Sequence, residues 1–186
     1  GFMNLDYQKQ AVASAKKILD GYDGVFLADV VGLGKTYISA LLAQQLPGGK
    51  LIICPPVLKE YWEETLFEFG VKKYFVESMG KLDKIVEELK IYPAKYSTIF
   101  IDEAHRFRNE YTQSFEKIYT IAYGRKVVLV SATPLNNRFG DILSQIKLFQ
   151  SPRKSWIPGI PNIENFFKDL ERPLKKLKRS DEEYAE

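Results

Sequence analysis

The sequence predicts an α/β fold in which a doubly wound, mostly parallel sheet carries helices on both of its faces. Four short runs are almost entirely apolar, as expected for strands that are buried on both faces rather than on one. The longer segments between them repeat apolar residues at helical spacing. Because strand-like and helix-like segments alternate along the chain, right-handed crossovers between parallel strands are expected.

Five segments are predicted to be strands, and β-branched or aromatic residues are frequent in them. The third is the weakest candidate because its apolar run is the shortest. In chain order the five are Gly24–Ala28, Leu51–Cys54, Tyr74–Val76, Ser97–Ile101 and Lys126–Val130.

Six further segments are predicted to be helices from their apolar spacing. In the third of them, Leu58, Trp62 and Leu66 fall on one face. Its aromatic residues Trp62, Phe67 and Phe69 are therefore expected in the core rather than on a base-stacking surface. In chain order the six are Asp6–Leu19, Thr36–Gln45, Val57–Phe69, Lys81–Leu89, Thr112–Tyr123 and Gly140–Phe149.

The character of the chain changes after Phe149. Pro152, Pro158 and Pro161 indicate a loop, and a polar helix over Asn162–Lys178 is predicted to follow. We therefore expect one globular domain over residues 1–150, followed by a linker and a basic helical segment over 151–186.

Composition limits the function. The 186 residues carry 27 basic and 24 acidic side chains, a formal net charge of +3, which permits a nucleic-acid partner without requiring one. With Cys54 and His105 as the only cysteine and histidine, an intrachain disulfide and a zinc site built from these residue types are excluded. No apolar run approaches the ~20 residues of a membrane span, so a cytoplasmic protein is expected.

A phosphate-binding loop is predicted where the first strand meets the following helix. The segment Asp29–Thr36 reads DVVGLGKT, so glycines would let backbone N–H groups close around phosphate oxygens at a helix N-terminus. Lys35 would reach the β- and γ-phosphates, and the Thr36 hydroxyl would bind Mg²⁺. Asp29 stands where the strict pattern has its first glycine. A glycine-rich turn that only caps a helix is the alternative interpretation.

Two more polar signals follow strands. Asp102 and Glu103 come after the fourth predicted strand, and Ser131, Ala132 and Thr133 come after the fifth. Ligands collect at the carboxyl ends of parallel strands, so we expect Asp102 to hold Mg²⁺ and Glu103 to orient or deprotonate water. Taken alone, the two carboxylates could simply favour the first turn of a helix. The order of the three signals along the chain is what makes them specific.

In combination these motifs resemble the first RecA-like lobe of superfamily 2 helicases, specifically the bacterial-looking members of the Swi/Snf-type DNA-translocating branch. The resemblance spans roughly residues 5–149. It implies that Gln8 reads adenine, that Gly32, Leu33 and Gly34 contact ATP together with Lys35 and Thr36, and that catalysis depends on Lys35, Asp102 and Glu103. The implied coupling residues are His105, Ser131, Ala132 and Thr133, and the implied nucleic-acid contacts are Pro55 and Lys59. Arg138, a basic residue beside the last motif, is a further candidate contact that the resemblance does not itself support.

The resemblance also implies what the whole protein does. ATP and Mg²⁺ would drive movement on DNA, duplex rather than single-stranded, and a second RecA-like lobe would complete the site. The sequence shows no segment typical of that lobe, so a monomeric, incomplete motor that hydrolyses ATP poorly is expected. Residues 151–186 would begin a helical insertion between the lobes. The alternatives are an RNA helicase lobe and a nucleotide-sensing module without catalysis of its own.

Overall fold

The computed structural model describes residues 6–28, 34–132 and 139–183. Within these residues five strands form one sheet: β1 (Gly24–Leu27), β2 (Lys50–Cys54), β3 (Tyr74–Ser78), β4 (Thr98–Asp102) and β5 (Lys126–Val130). Every pairing is parallel, and the strand order is β1-β5-β4-β2-β3. The predicted parallel α/β sheet is therefore confirmed, including its weakest strand.

The helices of the same residues surround this sheet. They are α1 (Asp6–Tyr22), α2 (Lys35–Gln45), α3 (Lys59–Glu68), α4 (Leu82–Ile91), α5 (Gln113–Ala122), α6 (Phe139–Ile146) and α7 (Ile163–Glu183). Short 3₁₀ turns precede α3 and α4, and another follows β4; they span Pro56–Leu58, Met79–Lys81 and Ala104–Phe107 in that order. All of the predicted helices are present, with ends displaced by a few residues.

The hydrophobic core consists of two layers, one on each face of the sheet. Along β4, Phe100 points to one layer while Ile99 and Ile101 point to the other, because successive side chains of a strand alternate between faces. Helices α1, α2 and α3 cover the first layer, and α4 and α5 cover the second. Near-continuous apolar strands are thus explained by burial on both faces.

One prediction about the core is wrong. Trp62 and Leu66 of α3 are buried, but Phe67 is 77 % exposed. Adjacent helical residues are rotated by about 100°, so Phe67 points away from the face that Leu66 buries. Phe69, just past the helix, is partly buried and its ring centroid lies 5.7 Å from that of Tyr37.

Within the part of the chain that the structure describes, β3 pairs with β2 alone, so its other side is an edge of this sheet. The ammonium of Lys95 lies 4.3 Å from the centroid of the Phe75 ring. The Glu77 carboxylate lies 2.9 Å from the Lys84 ammonium and 3.8 Å from that of Lys59. Charged side chains therefore flank this edge.

Helix α7 contributes more than a polar surface. Ile163 and Phe167 in its first turns are buried, and the Lys147 ammonium lies 3.2 Å from Glu164 and 2.7 Å from Glu110. Its start therefore packs on the rest of the chain, while the expected boundary near residue 150 stays a prediction. Of the helices described, none is long and apolar enough to cross a lipid bilayer.

A glycine position gives a stability prediction. A Cβ on Gly49, which precedes β2, would lie 2.1 Å from the Lys95 carbonyl oxygen, so Gly49→Ala forces backbone to move. We expect it to lower the free energy of unfolding by roughly 1–3 kcal/mol. Gly21→Ala is the matched control, because Gly21 lies in α1 with no atom within 4 Å of the added Cβ and should gain about 0.5–1 kcal/mol. Urea denaturation measures both, and equal stabilities would contradict the prediction.

Candidate nucleotide site

The carboxyl ends of the strands bring the predicted motifs to one edge of the sheet. Leu27 of β1 is in register with Val130 of β5, and Val130 is in register with Asp102 of β4. The chain therefore leaves these three strands along one row. Ligands of open α/β sheets bind at this edge.

Gly34 is the described end of the predicted phosphate loop. Gly34 has φ 77° and ψ 38°, a left-handed conformation that glycine adopts without steric cost, and α2 begins at the next residue. Lys35 and Thr36 are the first two residues of that helix, whose N-terminus carries a partial positive charge. Gly32 and Leu33 lie outside the described residues.

Helix α1 contributes Gln8 to the same place. The Gln8 amide nitrogen lies 3.6 Å from the position that a Cβ on Gly34 would occupy. Beside it, a pocket of about 240 Å³ is lined by Lys35 and by mostly apolar residues of α1 and β1, among them Ala11, Ala15 and Leu27. The predicted adenine-reading residue thus stands next to Gly34, the described end of the predicted phosphate loop, and its role stays a prediction.

Asp102 is held by two hydrogen bonds. It is the last residue of β4 and is 9 % exposed. Its Oδ1 accepts from the Glu103 N–H at 2.8 Å, and its Oδ2 accepts from the Trp62 indole N–H at 2.8 Å. Because each carboxylate oxygen has two lone pairs, both oxygens can still accept a further partner.

Glu103 stands in a strained conformation. Its φ of 51° lies in the left-handed region, which costs a residue other than glycine of order 1–3 kcal/mol. The turn directs its carboxylate to His105, where Oε2 lies 3.1 Å from Nδ1. Backbone strain at such a position is typical of functional sites.

His105 joins the two motifs that follow β4 and β5. Its Nδ1 also lies 3.1 Å from the Ser131 hydroxyl oxygen. Ser131 is buried, and its N–H donates to the Leu27 carbonyl at 3.3 Å. Ala132 follows Ser131, whereas Thr133 lies outside the described residues. The structure therefore brings His105, Glu103 and Ser131 together, and their coupling role stays a prediction.

Helix α3 holds two residues that sequence reasoning did not assign to the site. Trp62 donates to Asp102, and Tyr61 reaches the first turn of α2. Burial raises the pKa of Tyr61, a hydrogen bond with Tyr37 raises it further, and a hydrogen bond with Thr36 acts in the opposite direction. A buried tryptophan needs a partner for its indole N–H, and that need was the available signal for Trp62.

The donor set suits magnesium. Among the described residues no group of three or more histidine, cysteine, aspartate or glutamate side chains could hold a metal ion. Mg²⁺ does not require such a group, because it is commonly bound by one or two protein oxygens together with phosphate oxygens and water. The Thr36 hydroxyl and the Asp102 carboxylate are oxygen donors of this kind, so the residues present fit the ion.

Two of the predicted nucleic-acid contacts, Pro55 and Lys59, lie where the chain passes from β2 into α3. Pro55 follows β2 and is buried, while Val57 beside it is 87 % exposed. The Lys59 ammonium lies 3.9 Å from Glu63 and 3.8 Å from Glu77, so its charge is partly balanced. Arg138 lies outside the described residues. All three assignments stay predictions.

The buried thiol of Cys54 allows a prediction of reactivity. Burial and then the charge of Asp102 raise its pKa from 9.0 to about 12. The folded state thus favours the neutral thiol, and this contribution to stability is present below about pH 9 and is lost as the pH rises toward 12. At pH 8 we expect a disulfide reagent that reports free thiols to label the unfolded chain in urea at least 100-fold faster than the native chain. Equal rates in the two solutions would contradict this.

Comparison with known proteins shows that the chain is similar in sequence to proteins named as helicases. Over 175 residues the chain is 27 % identical to the uncharacterized ATP-dependent helicase YqhH of Bacillus subtilis (strain 168), covering 83 % of this chain and 30 % of that protein. It is 24 % identical over 195 residues to the chromodomain-helicase-DNA-binding protein 1-like of Danio rerio, covering 89 % of this chain and 19 % of that one. The chain thus spans less than a third of the length of either relative.

A solved structure supports the fold. The SWI2/SNF2 ATPase core of Sulfolobus solfataricus in complex with dsDNA matches with a TM-score of 0.67 at 20 % identity, over 81 % of this chain and 36 % of that one. A family model, the SNF2-related domain, matches residues 71–175, which is more than half of the chain. The chain belongs to the SNF2-related domain family.

Proposed function

We propose that the chain contains the ATP-binding lobe of an ATP-dependent motor that moves along duplex DNA. The observation that carries this proposal is the meeting of three elements at one sheet edge. Lys35 and Thr36 open α2, Asp102 ends β4 with Glu103 directly after it, and His105 ties Glu103 to the segment after β5. This is the arrangement that phosphate binding, metal binding and water activation require together.

The proposed roles divide among these residues. Gln8 binds the base, and the loop that ends at Gly34 cradles the phosphates with Lys35 on their terminal oxygens. Thr36 and Asp102 hold Mg²⁺, which when bound neutralises charge on the phosphates. The Glu103 carboxylate orients the attacking water and accepts its proton.

His105 has a coupling role in this proposal. Its Nδ1 lies within reach of both the Glu103 carboxylate and the Ser131 hydroxyl, and one ring nitrogen cannot donate to both at full strength. When the Glu103 carboxylate accepts a proton during the reaction, its contact with His105 changes, and the contact between His105 and Ser131 therefore changes as well. The segment Ala132–Thr133 after β5 is proposed to carry that change onward.

DNA is proposed as the substrate because the solved structure with this fold is a complex with dsDNA and a relative is named a DNA-binding protein. Pro55, Lys59 and Arg138 are the proposed contacts. The catalytic site is proposed to be completed by a second RecA-like lobe in the whole protein, and residues 151–186 to begin the segment that joins the two. Residues 1–186 alone should then bind nucleotide weakly and turn it over barely above background.

Nucleotide binding tests the first part of the proposal. A fluorescent ADP analogue should bind residues 1–186 in the presence of Mg²⁺, and Lys35→Ala should abolish the binding. Lys90→Ala is the matched control, since Lys90 is exposed and pairs only with Glu87 among the contacts described. Equal binding by the wild-type chain and Lys35→Ala would contradict the proposed site.

ATP turnover tests the second part. We would compare residues 1–186 with a longer protein that carries a second lobe, using duplex DNA, single-stranded DNA and RNA at several salt concentrations. Stimulation chiefly by duplex DNA, falling steeply with salt, is expected of the longer protein. Stimulation by RNA alone would mean that the substrate is RNA rather than DNA. Nucleotide binding without any turnover would favour a nucleotide-sensing module. Strong DNA-stimulated turnover by residues 1–186 would overturn the need for a second lobe.

A further inference from the structure

We infer that Trp62 is a positioning residue for Mg²⁺ and that its indole N–H holds the Asp102 carboxylate in the orientation that binds the ion. The inference rests on the proposed function, because it assigns a second residue to the same metal site. It adds a residue from α3 to a site otherwise built on α1, α2 and the ends of β4 and β5.

The hydrogen bond from Trp62 is buried and charge-assisted. The indole Nε1 lies 2.8 Å from Asp102 Oδ2, and the Trp62 side chain is 1 % exposed. A bond from a neutral donor to a carboxylate is stronger than one between neutral groups, and exclusion of water strengthens it further. Trp62 has no freedom to turn away, because it packs in the core layer that α1, α2 and α3 cover.

Two bonds on different oxygens fix the plane of the carboxylate. Trp62 donates to Oδ2 and the Glu103 N–H donates to Oδ1, at 2.8 Å each. A carboxylate with only one bond would retain rotation about its Cβ–Cγ axis. With both bonds, one lone pair on each oxygen keeps a defined direction at the partly open edge of the sheet, where Asp102 is 9 % exposed.

The neighbouring residue of α3 supports this role. Tyr61 lies close enough to Thr36, the second proposed magnesium ligand, for that residue's side chain to partly offset the rise in the pKa of Tyr61 that burial causes. Successive residues of one helix thus contact both proposed ligands, Tyr61 from the side of α2 and Trp62 from the side of β4. Partners that orient metal ligands in this way commonly change metal affinity by 10- to 100-fold when they are removed.

The indole N–H can be observed directly. The chain has two tryptophans, so ¹⁵N-labelled protein gives two indole cross-peaks, one from Trp62 and one from Trp156, which is 74 % exposed. Trp156→Phe assigns them. Asp102→Asn replaces a charged acceptor by a neutral one, so the Trp62 indole proton should move upfield while the Trp156 signal stays. An unchanged Trp62 signal would overturn the inference.

The second test measures the ion rather than the bond. Trp62→Phe keeps the aromatic ring and removes the N–H. We expect it to weaken binding of the fluorescent ADP analogue ~10- to 100-fold in Mg²⁺ and to leave binding in EDTA unchanged. Leu66→Val is the matched control, because Leu66 is buried on the same helix and the change removes core volume without removing a hydrogen bond. In the Asp102→Asn background, Trp62→Phe should have no further effect on Mg²⁺-dependent binding.

The outcomes separate this inference from the proposed function. If the wild-type chain binds no nucleotide in either buffer, the proposed function fails, and the indole signal still reports the bond. If the wild-type chain shows Mg²⁺-dependent binding and Trp62→Phe retains all of it, the positioning role is wrong. Should Trp62→Phe not fold, the wild-type indole signal decides instead. It must shift when Mg²⁺ is added to the ADP-bound chain, while the Trp156 signal does not.

Discussion

Replacing Glu103 by glutamine should lower ATP turnover by ~10²–10⁴-fold in a protein that carries this chain and hydrolyses ATP. The amide has nearly the shape of the carboxylate but cannot accept the proton of the attacking water. Glutamine has the same length and branching as glutamate, so the substitution adds no new steric conflict at the left-handed backbone of φ 51°. Nucleotide affinity should therefore stay within about twofold, because general-base catalysis contributes in the transition state.

Steady-state turnover and binding of the fluorescent ADP analogue measure the two quantities separately. Glu87→Gln is the matched control, since Glu87 is an exposed glutamate of α4 that pairs with Lys90 and lies away from the sheet edge. It should leave both quantities unchanged. If the Glu103→Gln protein keeps more than about a tenth of the wild-type turnover rate, Glu103 is not the general base.

The largest effect on stability is expected from Phe100→Ala. Phe100 lies at the middle of the central strand β4, is 0 % exposed, and is in register with Ile52 and Val128, which are also fully buried. Removing its ring leaves a cavity that the two neighbouring strands cannot close, because their own positions are fixed by the sheet. We expect a loss of ~3–5 kcal/mol in the free energy of unfolding.

Urea denaturation checks this prediction, with the dependence on urea concentration confirming that the same transition is compared. Phe67→Ala is the control, because it removes the same ring from a position that is 77 % exposed and should change stability by less than about 0.5 kcal/mol. Similar losses for the two variants would mean that burial does not determine the cost.

The fold could be predicted because its signal is local and repeated. Strands buried on both faces read as continuous apolar runs, and the helices between them show their own spacing, as Leu51–Cys54 and Lys81–Leu89 do. The exposure of Phe67 could not be read in the same way. A phenylalanine between buried neighbours looks like core until the direction of each side chain around the helix is known.

The candidate site divides along the same line. Lys35 and Asp102 could be placed at one edge because each follows a strand of a parallel sheet. The hydrogen bond between Trp62 and Asp102 joins residues 40 positions apart, and no sequence pattern in either segment predicts it. The left-handed turn at Glu103 depends on tertiary packing rather than on the residue's own preference. The roles of Gly32, Leu33, Thr133 and Arg138 stay predictions.

The charged flank of β3 bears on how the protein behaves at high concentration. An edge strand offers unpaired backbone groups to any other edge, and exposed edges are the usual starting point of intermolecular aggregation. Lys95 lies over the Phe75 ring of this edge strand, and Glu77 sits between the Lys59 and Lys84 ammonium groups. A second strand that approached this edge would have to displace these ion pairs and strip their water. These charged side chains have no part in the proposed nucleotide site. They help to prevent the β3 edges of two copies of the protein from pairing with each other.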